Sequence, residues 1–338
     1  MSSSYIQGEK KNKKIIFLLV ILLCLSFFFS LVVGRYAISP LAIIHAFLGK
    51  STEITISHVL FQVRVPRVLA AMIIGASLSI SGAAYQGMFK NPLVSPDFLG
   101  ASAGAGFGAA MGILLSLGLL GIKLFSFAFG ILAVFLAWLI ASRFGRGDDS
   151  YFLLLLGGIL VSNIFQALIS AIKYLADPQD QLPAITFWLM GSLNKVNYND
   201  VLALFFPFVV GTLILCFLSF RLNVMSFGEE EAKTMGINTT AMRLIVVIIA
   251  TALTASSVCL CGMIGWVGLV IPHLSRMMVG PNFSYLLPAS ALTGGIYLLL
   301  VDDISRAIAT VEIPLGILTS LIGAPFFIYL LYQRKKGW

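Results

Sequence analysis

The chain has 338 residues, of which 59% are hydrophobic and only 11% charged, with a formal net charge of +8. A soluble domain carries roughly 25% charged residues, and a globule of this length could not coat its surface with so few. Together with a mean hydropathy of +0.99, this excludes a soluble enzyme, a disordered chain and a nucleic-acid binder as readings. The positive charge is then a matter of topology and lipid contact.

Ten apolar runs are predicted to cross a bilayer as helices: 15–34, 68–89, 98–119, 123–142, 151–172, 201–220, 244–262, 263–279, 285–304 and 313–332. They are continuously apolar and lack the alternation of barrel strands. The first run follows a basic leader, Lys10, Lys11, Lys13 and Lys14. It exceeds a signal-peptide core in length and has no small-residue cleavage site, so it reads as a retained helix. Near Gly262 no polar linker separates the seventh run from the eighth. The chain divides into a cytoplasmic segment 1–14, one transmembrane domain 15–332 and a cytoplasmic tail 333–338.

Orientation follows from lysine and arginine. With the N-terminus inside, inner segments hold 14 of the 22 basic residues, while the 14 acidic residues split evenly. That is the bias the positive-inside rule requires. Ten spans put both termini in the cytoplasm, consistent with the tail Arg334-Lys335-Lys336. Arg64 and Arg67 are basic residues on the outer side and need another explanation.

Two outer segments, 39–49 and 182–191, are too short to span and read as interfacial helices; Ser39-Pro40 is a helix-start signal and Trp188 suits a headgroup boundary. Gly100, Gly104, Gly108 and Gly112 recur every fourth residue and line one face of the third run. Such a face serves close helix packing or lines a pore. Pro272 and Pro314 interrupt late runs, which is tolerable where protein or a water-filled cavity satisfies the freed backbone.

Enzymatic signals are missing. Leu48-Gly49-Lys50-Ser51-Thr52 resembles the end of a phosphate-binding loop, but Ile44 stands where its leading glycine would be. Gly104-Ala105-Gly106-Phe107-Gly108 fails as a dinucleotide fingerprint at Ala109. His45, His58 and His273 are scattered, and Cys24, Cys216, Cys259 and Cys261 sit in apolar runs without metal or disulfide spacing. No cofactor or metal site is expected on this chain, so energy must come from a partner or an ion gradient.

Charged residues at the ends of the runs carry more. Arg64-Val65-Pro66-Arg67 sets two guanidiniums at the outer mouth of the second run, and Arg306 ends the ninth. Outward arginines suit an acidic protein surface. The alternative is snorkelling to lipid phosphates or pairing with Asp302, Asp303 or Glu312. On the inner side, Ser226 to Ile237 (SFGEEEAKTMGI) predicts a short amphipathic helix with acids at its start and Gly236 capping its end. It is either a solvated loop helix or a contact for a cytoplasmic protein.

These elements, in this order, resemble the permease subunits of ABC importers for iron–siderophore complexes, haem and vitamin B12, over roughly residues 15–332. The motifs are RVPR at 64–67, GAAYQGMFKNPLVSPDFLGASAGAG at 82–106, FGEEEAKTMGI at 227–237, GWVGLVIPHLSR at 265–276 and EIPLGILTSLIGAPFFIYLL at 312–331. The resemblance implies an all-α polytopic protein of the type II ABC importer permease fold, with ten transmembrane helices and an inverted pseudo-repeat of helices 2–5 and 7–10. It implies two permease copies, a homodimer, around a central pathway in a prokaryotic inner membrane. Two ATPase subunits below would carry ATP and Mg, and an extracytoplasmic substrate-binding protein would dock above. Residue by residue, it implies docking by Arg64, Arg67 and Arg306 onto glutamates of the binding protein. It also implies a coupling helix over 228–236 with Gly228, Glu229, Glu230, Ala232, Met235 and Gly236. A cytoplasmic gate falls at Asn91 and Leu93, with a second constriction at Ser150 and Tyr151, where a tyrosine is bulkier than the small polar residue usual in the vitamin B12 branch. An iron(III)–siderophore is the broadest expectation for the substrate, with haem, cobalamin and oxyanions such as molybdate open beside it. A secondary transporter driven by an ion gradient would need an ionisable residue at mid-membrane.

Overall fold

The computed structural model describes residues 2–50, 53–145 and 149–334. In chain order the helices are α1 (Ser2–Val32), α2 (Pro40–Phe47), α3 (Ile54–His58), α4 (Val65–Met88), α5 (Ala101–Leu114), α6 (Leu119–Phe144), α7 (Asp149–Leu175), α8 (Gln181–Met190), α9 (Tyr198–Phe217), α10 (Ser219–Phe227), α11 (Glu229–Thr234), α12 (Thr239–Cys261), α13 (Val267–Val279), α14 (Phe283–Ala307) and α15 (Leu315–Arg334). No strand occurs among the described residues.

Among the described residues, seven helical stretches are long and apolar enough to cross a membrane: 8–32, 54–88, 119–144, 152–175, 198–217, 239–261 and 283–307. The other three apolar runs fold as shorter apolar helices, 101–114, 267–279 and 315–329. The local causes are visible. Gly100, at φ +87°, caps a 3-10 turn over Pro96–Leu99 before α5 starts, and Ser116, at φ +52°, ends it. The ambiguous junction at Gly262 is a real break: Gly262 turns the chain at φ +75°, and Trp266, at φ +70°, stands just before α13.

The second run begins earlier than its hydropathy suggests. Helix α3 passes through a π-helical turn, Val59–Arg64, straight into α4, and Pro66, which has no N–H to give the ladder, stands just past that widened turn. The basic leader is helical as well, because lysine and glutamate are good helix formers and nothing breaks the run. It is held by Asn12, whose amide donates to the Val279 carbonyl at 2.9 Å, and by Glu9, which accepts from the Tyr285 hydroxyl at 3.1 Å.

Helix α4 is the central post, buried from Ile74 to Met88 without interruption. Two crossings bring bare backbone against it. A Cβ on Gly75 would lie 2.2 Å from the Gly294 carbonyl oxygen of α14, and one on Gly82 would lie 1.8 Å from that of Gly268 in α13. No side chain fits there, and dispersion is gained from the direct contact of the helices. One apolar core joins the second half of α4 to α5, α6, α7 and α12. Another joins its first half to α1, α13 and α14.

Candidate functional site

The chemistry of the chain gathers at the two ends of α4, which its 24 residues set roughly 36 Å apart at 1.5 Å per residue. The first end is a charge clasp. Helix periodicity puts Asp302 and Arg306 one turn apart on α14, with Asp303 beside them. Arg67, at the start of α4, spreads its guanidinium between two carboxylates. Its Nε and Nη2 donate to Asp302 at 2.8–3.1 Å, and its Nη1 and Nη2 donate to the two oxygens of Glu312 at 2.9 and 3.0 Å. Arg306 bonds Asp303 and, at 2.7 Å, the Ser30 hydroxyl of α1, which itself donates to Asp303 at 2.6 Å. Arg64 donates to the Leu31, Val32 and Tyr36 carbonyls, filling acceptors that the end of α1 leaves open. Three arginines balance three carboxylates, and the cluster ties α1, α4, α14 and the segment leading into α15.

The three guanidiniums are therefore turned inward. Arg64, Arg67 and Arg306 are 4%, 5% and 6% exposed and Asp302 is fully buried, while Glu312 keeps 28% of its side chain in contact with solvent. Of the two uses their sequence allows, internal pairing is what this structure displays for Arg67 and Arg306 with Asp302, Asp303 and Glu312, while Arg64 is taken up by backbone carbonyls.

Beside the clasp opens a cavity of about 880 Å³ whose lining includes Arg35, Lys123, Trp188, Lys195, Asp200 and Glu312. Lys123 and Asp200 bridge α6 and α9 at 2.5 Å, and Asp200 also closes a capping box with Asn197.

The opposite end of α4 holds the NPL turn and α11. After α4, Lys90 takes φ +49°; the Asn91 amide bonds the Gln86 carbonyl at 3.1 Å, and the Asn91 side chain accepts from the Leu93 amide at 2.9 Å. Leu93 is exposed. Ser150 and Tyr151 fall in the opening of α7, and their side chains lie outside the described residues. A groove of about 420 Å³ separates this turn from α11, lined by Met88, Lys90, Phe227 and Glu229 to Glu231.

Gly228 and Gly236 flank α11. Gly236, at φ +78°, closes it with a two-bond cap: its amide bonds Lys233 at 2.9 Å and the next amide, Ile237, bonds Ala232 at 2.9 Å. The side chains divide sharply. Ala232 is fully buried and Glu229 points into the fold, while Phe227, Glu230, Glu231 and Met235 face solvent. Glu229 accepts from Thr239 at 3.0 Å and pairs with Lys233 at 3.0 Å and Arg243 at 3.2 Å. Burial pushes its carboxyl up, but Lys233, Thr239 and Arg243 together outweigh that and hold it below the ordinary glutamate range.

Gly104, Gly108 and Gly112 lie against α6: Cβ atoms there would stand 2.3 Å from the Phe129 carbonyl oxygen, 2.3 Å from that of Phe125 and 3.0 Å from the Ile122 Cα. Gly100, the fourth of the series, is the left-handed turn before α5 and faces Ser162. Ser30, Thr239 and Arg243 were not singled out by the sequence; Ser30 takes part because distant helices converge, and Thr239 and Arg243 because the turn after α11 folds α12 back onto it.

A solved chain described as a metal-chelate type ABC transporter in an inward-facing conformation superposes with a TM-score of 0.87 at 40% identity, covering 95% of this chain and 99% of that one. The molybdate import permease MolB of Haemophilus influenzae is 42% identical over 328 residues, 96% of this chain and 97% of that protein. The cobalamin import permease BtuC of Halobacterium salinarum is 40% identical over 274 residues, 81% of this chain and 73% of that protein. The bundle is thus that of an ABC transporter's transmembrane subunit. More narrowly, the chain belongs to the FecCD transport family, whose model matches residues 21–333.

Proposed function

We propose that this chain is the permease half of an ATP-driven importer in a prokaryotic cytoplasmic membrane, working as a homodimer. In this reading ten helices cross the bilayer and both termini are cytoplasmic. Two ATPase subunits, which carry the ATP and Mg, press on α11 through Phe227, Glu230, Glu231 and Met235. A substrate-binding protein meets the clasp end, where its glutamates exchange with Glu312 for Arg67 and engage Arg64 and Arg306. Lipid covers the exposed apolar flanks. Closure of the ATPase dimer moves the helices around the path and opens the turn at Asn91 and Leu93. The observation that carries the reading is the separation of α11 from the clasp by the whole length of α4, which gives a motor and a feeder one end each.

The cargo is a metal chelate, with an iron(III)–siderophore as the broad expectation for this family. A second reading, an oxyanion, is favoured by the full-length similarity to the molybdate permease and by Arg35, Lys123 and Lys195 around the cavity. Lys123 is matched by Asp200 and Glu312 by Arg67, which leaves Arg35 and Lys195 to give the cavity a positive bias that attracts anions.

The test is reconstitution in proteoliposomes with cognate ATPase and binding protein. Uptake that needs ATP and all three components supports the importer. Uptake without the ATPase that collapses with a proton or sodium gradient makes the chain a secondary transporter. Competition by molybdate against ferric siderophore decides the cargo. Cysteines at Lys195 and Glu230, with Cys24 replaced, should label from opposite sides of the vesicle.

A further inference from the structure

Helix α11 has six residues and a glycine beyond each end, and the space around Gly236 is open. A helix this short has little rigidity of its own. Pushed from outside on Phe227, Glu230 or Met235, it would swivel on its flanks rather than transmit the push. Ala232 seats one face of it in the apolar core, and the polar tie that fixes its direction runs through one carboxylate. Glu229, in the first turn of α11, is bonded to Thr239 and Arg243 in the first two turns of α12 and to Lys233 on its own helix. Helix α12 runs 23 residues and is buried along most of its length. Lys233 is exposed, but Thr239 and Arg243 are sheltered, so the bonds that reach α12 compete less with water than a surface pair does.

Resting on the permease reading above, we infer that Glu229 is a positioning residue rather than an ATPase contact: it locks α11 to α12, so that displacement of the short helix is delivered to the long one. The neighbouring acids are placed differently. All three border the groove with Lys90, but Glu230 and Glu231 face solvent, whereas the Glu229 carboxylate is taken up by Thr239, Lys233 and Arg243.

Two measurements test this. The first is substrate transported per ATP hydrolysed by the complete complex in proteoliposomes. Glu229→Gln keeps the size of the side chain and loses its charge; the ratio should fall about tenfold, equivalent to about 1.4 kcal/mol, while hydrolysis continues. The swap Glu229→Arg with Arg243→Glu should restore most of it. Glu230→Gln, at the proposed contact itself, should instead weaken ATPase binding. A wild-type ratio in Glu229→Gln overturns the inference, whereas a wild-type complex that transports nothing overturns the permease reading instead. The second measurement needs no partner. Spin labels at Thr234 and Thr240 should give a narrow distance distribution in the wild type and a broad one in Glu229→Gln, or in the milder Thr239→Val if the first variant fails to accumulate. Equally narrow distributions overturn the inference.

Discussion

Arg67 and Glu312, 245 positions apart in the chain, meet through two parallel hydrogen bonds of 2.9 and 3.0 Å while the same guanidinium holds fully buried Asp302 on its other side. One arginine thus serves an interior partner and a partly exposed one. A two-pronged contact of this kind is specific to arginine, because lysine cannot present the fork.

The two carboxylates should therefore differ in cost. Asp302→Ala leaves Arg67 and Arg306 short of a buried counter-charge and should lower stability by about 3–5 kcal/mol. Glu312→Gln, with 28% of its side chain exposed, should cost about 1 kcal/mol or less. Thermal unfolding of the detergent-purified protein checks both, and equal costs would refute the division.

If a binding protein's glutamates exchange with Glu312, then Glu312→Gln should raise affinity for that protein about threefold to tenfold, a gain of up to about 1.4 kcal/mol. Reversing Arg64, Arg67 and Arg306 together should abolish stimulation of ATPase activity by the binding protein. Surface plasmon resonance on nanodiscs reads the first effect; unchanged affinity removes the exchange.

Acid should loosen α11. Glu229 has a depressed folded-state pKa, so its stabilisation is fully present above the ordinary glutamate range and is lost as pH falls through its lowered value. The distance distribution between labels on α11 and α12 should be narrow at neutral pH and widen only on strong acidification. In Glu229→Gln it should be broad at every pH. The charged groups facing this site are Lys233 and Arg243, with Lys90, Glu230 and Glu231 around the adjoining groove.

Gly82→Ala should be poorly tolerated, since its methyl would collide with the Gly268 carbonyl and force α4 from α13; overpacking typically costs about 1–3 kcal/mol. Gly118→Ala, with open space around it and φ −61°, gains from a less flexible unfolded chain but loses a favoured N-cap residue of α6, so it should change stability by less than about 1 kcal/mol. The folded fraction by fluorescence size exclusion separates them.

Apolar run length located all the principal helices, because lipid leaves a spanning backbone few options. It missed where they end. The limits of α5 and α13 are set by Gly100, Ser116, Gly262 and Trp266, whose φ values depend on what packs against them. The acids and glycines around 228–236 announced α11 directly, since capping is local chemistry. Which acid faces inward was not legible, because Glu229 finds Thr239 and Arg243 across a turn. The arginines were visible, but their burial was not: it depends on α1 and α14, about 270 positions apart from each other, both arriving beside α4.

The bare contact of Gly75 with Gly294 leaves no compressible layer between two helices that reach from one face of the molecule to the other. They form a girder. Any working stroke must carry both as a single body and find its play elsewhere, so optical probes on the two helices should keep their spacing through a full cycle of hydrolysis.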